Sequence, residues 1–74
     1  MSRLVRMDRT GHTTLAEWTS GDEGSVQDAV DAFRRELDRG FFGVVTTGPG
    51  KAEMVRELPV DAELVIMRQP ISGG

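Results

Sequence analysis

The stretch "SVQDAVDAFRRELDRG", residues 25–40, decides the fold, because every local signal in it agrees on one amphipathic helix. Val26, Ala29, Val30, Phe33 and Leu37 recur at i, i+3, i+4, i+7 and i+11, which draws one apolar stripe along a helix surface. Ser25 suits an N-cap, with Asp28 three residues on as an acidic capping-box partner. Asp28 and Asp31 lie early and Arg34, Arg35 and Arg39 late, which opposes the helix dipole favourably, although Glu36 and Asp38 dilute the pattern. Gly40 supplies the stop, since it takes the left-handed conformation after a helix without a Cβ clash. A single striped helix has to lay that stripe on something, and the flanking segments supply a sheet.

Before the helix, "LVRMD" (residues 4–8) and "TTLAEWT" (residues 13–19) read as two extended runs around a turn at Thr10-Gly11-His12. Val5 and Met7, with Ala16 and Trp18, are the expected inward face of this hairpin, and "SGDEG" is a polar break before the helix. After the helix, "FFGVVTT" and "EMVREL" are extended runs separated by the turn "GPGKA". "PVDAE" turns a corner. "LVIMR", residues 64–68, has four consecutive apolar residues, as expected of a strand flanked on both sides in mid-sheet. The expected fold is α+β, in the order ββαβββ with one helix on a mixed sheet. Residues 1–69 form a single domain in this reading, and residues 70–74 form a flexible tail.

Composition removes several function classes. In 74 residues with 38% apolar content there is room for one folded module. Cysteine is absent, which excludes a disulfide framework and thiolate metal sites and suits a reducing cytoplasm. No apolar run approaches the roughly 20 residues needed to cross a bilayer. A net charge of −3 with mixed signs offers no basic face for nucleic acid.

Candidate chemistry is sparse. "TTGPGKAE" has a Gly-Lys pair but lacks the Walker spacing and the hydroxyl after lysine, so a hairpin turn is expected there rather than a nucleotide loop. His12 is the only histidine and lies in a turn without clustered carboxylates, so neither metal binding nor general-base work is expected of it. No serine stands in a nucleophile motif, and no enzyme activity or cofactor is expected. Trp18, Phe33, Phe41 and Phe42 are the aromatic set available to the core or to a surface anchor. A helix covers one side of a sheet, so residues pointing the other way, for which Leu4, Leu15, Val55 and Val65 are candidates, favour a partner or a homo-oligomer contact.

The final residues, "RQPISGG", then stand out. Glycine is costly to order and adds nothing to packing, so Gly73 and Gly74 are either unselected fraying or a segment that threads a narrow channel, in which case Pro70 stiffens its base and Ile71 is an apolar handle. The element order together with "VDAELVIMRQPISGG", residues 60–74, resembles the β-grasp, ubiquitin-like superfamily. In its tail it is most similar to the sulfur carriers, represented by the molybdopterin synthase small subunit and the thiamine sulfur carrier. Gln69 departs from that pattern, where such tails often carry a second proline. The resemblance implies a bacterial-type carrier or modifier, itself no enzyme. Its Gly74 carboxylate would be adenylated by an activating enzyme and passed to a sulfur acceptor or conjugation target. Gly73 would leave the approach clear, and Pro70, Ile71 and Ser72 would be recognised by that enzyme. Lys51, the single lysine beside eight arginines, would be the one side-chain acceptor for self-conjugation. The alternative is a structural or adaptor protein of the same fold, such as a viral or phage component, that binds partners through its open sheet face, the diglycine being incidental.

Overall fold

The computed structural model describes residues 1–69, with Thr47 described through its backbone alone. The elements are β1 (Ser2–Asp8), β2 (Gly11–Trp18), α1 (Glu23–Asp38), β3 (Phe42–Gly48), β4 (Lys51–Val55) and β5 (Leu64–Arg68). The fold is α+β: one helix packs on a five-stranded sheet of order β2-β1-β5-β3-β4. β1 and β5 run parallel and the other neighbours are antiparallel, so the sheet is mixed. β5 lies in the middle, and its unbroken apolar run has the expected cause: Val65 and Met67 are fully buried under the helix while Leu64 and Ile66 point to the opposite face.

The helix begins one turn earlier than the stretch 25–40 suggests. Asp22, not Ser25, is the N-cap; its Oδ1 accepts from the Ser25 N–H at 3.4 Å. Ser25 lies inside the first turn, where its hydroxyl donates to the Asp22 carbonyl and accepts from the Thr19 N–H. An aspartate cap is as good as serine and adds negative charge at the positive end of the dipole, which outweighs the poor helix propensity of Gly24. The C-terminus follows expectation. Gly40 has φ +92°, its N–H donates to the Leu37 carbonyl, and the Phe41 N–H reaches back to the Glu36 carbonyl, which together make a Schellman closure.

Leu4, Trp18, Ala29, Ala32, Phe33, Val65 and Met67 form the buried core, with Leu15, Val26, Leu37, Val45, Val55, Leu58 and Val60 packed around it. Complete burial of a side chain such as Phe33 or Leu4 contributes about 1.5–3 kcal/mol. The helix stripe is turned slightly from the apolar pattern: Ala32 and Glu36 are buried, whereas Val30 is half-buried.

The face assignment of the first hairpin is corrected. Leu4 pairs with Ala16 but Val5 pairs with Thr14, so Leu15 has no partner and β2 carries a bulge there. Trp18 and Ala16 face the helix as expected. On β1, however, Leu4 and Arg6 face it, while Val5 and Met7 face away. Leu4, Leu15, Val55 and Val65 therefore belong to the helix side rather than to the open side. The Trp18 indole N–H also donates to the Val60 carbonyl at 3.0 Å, which ties the β4–β5 connection to the edge of the sheet.

Candidate functional site

Strand alternation and register together define the face that the helix leaves uncovered. Its central row runs Thr14, Val5, Ile66, Val44, Met54 across all five strands. Four of these five are apolar. A second row places Arg68 between Met7 and Phe42, with His12 beyond Met7. A third sets Leu64 beside Arg3, whose guanidinium lies 3.8 Å from the Glu17 carboxylate across the pair. Met54 is 64% exposed and Leu64 44%, whereas Val5, shielded in the middle of the sheet, is 8% exposed. A shallow groove lined by Val44, Thr46, Ala62, Glu63, Leu64 and Ile66 runs along this face. The result is an apolar band with arginines at its margins, the composition of a protein-docking patch with a polar rim.

The residues named from the tail, Pro70, Ile71, Ser72, Gly73 and Gly74, lie outside the described residues. Of that region the structure describes Arg68, where β5 ends, and Gln69. Lys51 is exposed and is the first residue of β4, next to the turn glycine Gly50 with φ +72°. "GPGK" is therefore a hairpin turn leading into a strand, and no helix follows to form a phosphate loop. His12 is exposed on the edge strand, paired in register with Met7. Among the described residues, no three of His, Asp and Glu come together as metal ligands, and no helix is long and apolar enough to cross a membrane.

A charged cluster lies on the opposite, helix side, and sequence reading missed it. Glu36, 3% exposed, accepts from Arg6 Nη1 at 3.3 and 3.4 Å and stands 3.6 Å from Arg39. Arg6 lies 5.8 Å from the centroid of the Phe41 ring, a distance at which the guanidinium and the ring attract. Its buried Nε lacks a hydrogen-bond partner and is 3.8 Å from Asp8. The available signal was a lone acid at position 36, seven residues after Ala29 and three after Phe33, on the buried stripe. Asp8 itself closes the β1–β2 turn. The Thr10 hydroxyl donates to its Oδ1 at 2.6 Å and the Thr10 N–H at 2.9 Å, and these bonds hold its carboxyl below the ordinary value.

With the geometry in place, comparison with known proteins adds no identity: no protein-family model, curated protein or solved structure matches the chain.

Proposed function

We propose that this is a ubiquitin-like β-grasp protein that works by docking on another protein through its open sheet face. The observation that carries this reading is the row Val5, Ile66, Val44, Met54, which crosses the sheet opposite the helix. The element order and the strand order β2-β1-β5-β3-β4, with its parallel central pair, support the β-grasp assignment. Burying such a row removes apolar area from water, at about 25 cal/mol per Å². The test is affinity capture with host extract, comparing the wild type with Val44→Glu and Met54→Glu variants and with Arg34→Glu on the helix surface. Partners should be lost with the first two and kept with the third; equal capture by all would sink the proposal. Sedimentation of the purified chain distinguishes a second copy from a foreign partner.

A second reading, the carrier or modifier, is favoured by the place of Arg68. It ends the central strand within the open face, between Met7 and Phe42, so Gln69, the last described residue, follows beside the docking patch. In this reading the activating enzyme is the partner. The Gly74 carboxylate attacks the α-phosphate of ATP and releases pyrophosphate; a sulfur or amine nucleophile then attacks the acyl-adenylate carbonyl and expels AMP. Lys51 is the acceptor amine for self-conjugation. Incubation with ATP and the host's activating enzyme, followed by intact-mass measurement, should give adenylate, thiocarboxylate or conjugate, and Gly74→Ala should abolish it. Unchanged mass with a competent enzyme would leave docking as the whole function.

A further inference from the structure

We propose that edge strand β4 pairs with β4 of a second copy of this chain, antiparallel and about a two-fold axis at Ala52. The contact lies at the rim of the sheet and does not depend on what docks on the open face. Three observations favour a second copy as the occupant.

The first is an open edge. β4 stands last in the strand order, so among the described residues no strand pairs with its outer N–H and C=O groups. α1 packs on β2 and β3, and Lys51, Ala52, Glu53 and Met54 are all exposed. The second is regularity. In the β3–β4 pair the register shift falls between Thr46 and Gly48 on β3, so β4 itself alternates without a break. Edge strand β2, by contrast, carries the bulge at Leu15, a device that spoils pairing with an added strand.

The third is charge that is complementary to itself. Met54 and Ala52 point to the open face, and Lys51 and Glu53 to the other. Neither Lys51 nor Glu53 forms an ion pair among the described residues. In a two-fold antiparallel pair centred on Ala52, each Lys51 stands directly opposite the other copy's Glu53, so the contact makes two ion pairs from one strand. Centring on Glu53 instead would oppose two carboxylates, which is unfavourable. Centring on Met54 would set Glu53 against Val55 and leave Lys51 beyond the end of the facing strand. Such a contact is isologous and closes at two copies. It joins two five-stranded sheets into one, with both open faces on the same side.

The test is sedimentation of the full chain from micromolar to millimolar concentration, with amide chemical shifts of the ¹⁵N-labelled chain followed on dilution. A monomer–dimer equilibrium is expected, with shifts concentrated at residues 50–54. Lys51→Glu or Glu53→Lys alone should weaken the dimer about tenfold or more, and the double exchange should return it to near the wild type. Because the chain has no cysteine, a short bismaleimide should link Ala52→Cys to its twin and should not link Thr14→Cys on the opposite edge. A monomer at every concentration overturns the proposal on the wild-type chain alone. So do shifts centred on Val5 and Ile66, which would mean that copies meet through the open face. A double exchange as weak as either single variant, or equal linking of the two cysteine variants, overturns it as well.

Discussion

Gly43 lies directly beneath Phe33: a Cβ built on Gly43 would stand 2.6 Å from Phe33 Cε2 and 2.9 Å from Cζ. The ring occupies the space that a side chain at position 43 would fill, and so α1 settles closely on β3. Gly43→Ala should destabilise the fold by about 1–3 kcal/mol through overpacking, measured by urea unfolding. Gly48→Ala is the control. A Cβ there meets nothing within 4 Å, and Gly48 is not among the glycines with positive φ, so little change is expected.

The pair Arg6 and Glu36 joins β1 to α1 within the packed layer. Glu36→Ala leaves Arg6 without its main partner and should cost about 3 kcal/mol. Replacing both, as Arg6→Met with Glu36→Leu, removes two desolvated charges together and should restore stability to near the wild type. A double variant as unstable as Glu36→Ala alone would show that the pair contributes more than mutual compensation.

Asp8 should make the fold sensitive to acid. Its carboxyl is held below the ordinary carboxylate value, first by the Thr10 hydroxyl and then by the Thr10 N–H. A group with a depressed folded pKa contributes stability that is present above its unfolded pKa and is lost as pH falls through the folded one. The loss therefore belongs below about pH 4, the ordinary range for aspartate. Thr10→Val should raise the Asp8 midpoint toward that range in a carboxyl NMR titration. An unmoved midpoint would remove the hydroxyl as its cause.

Trp18 holds the β4–β5 connection through one hydrogen bond. Trp18→Phe leaves the Val60 carbonyl without its indole donor and should cost about 1–3 kcal/mol. The sharper readout is local. Trypsin cleavage after Arg56, in the connection so tethered, should accelerate more in this variant than in a core variant of equal global stability.

The order of elements, the two hairpins, the mid-sheet position of residues 64–68 and the Gly40 stop were all legible, because each rests on local periodicity or on glycine's freedom at positive φ. The first hairpin's facing was not. A bulge at Leu15 shifts the register within β2, and the adjacent apolar pair Leu4 and Val5 fits either face equally well. Only the sheet between β5 and α1 decides that Leu4 goes in. The open face was predicted in principle, but its membership, Val5, Ile66, Val44 and Met54, follows from cross-strand register that no single strand encodes. Glu36 read only as an acid that dilutes the helix charge pattern, because apolar periodicity ignores an acid and its partner Arg6 stands thirty positions away in the chain.

The parallel pairing of β1 with β5 also bears on how the protein is made. Residues 3–7 lie against residues 64–68, so the middle of the sheet waits for the last of the five described strands to leave the ribosome. Until then each hairpin can close only on itself, and Leu4 on β1 lacks its neighbour Val65. Pairings this distant in sequence are slow to form, because closing the intervening chain costs entropy before any contact rewards it. The nascent chain therefore completes its core late and nearly all at once, and a chain halted before residue 64 would hold two hairpins and a helix with no central strand to join them.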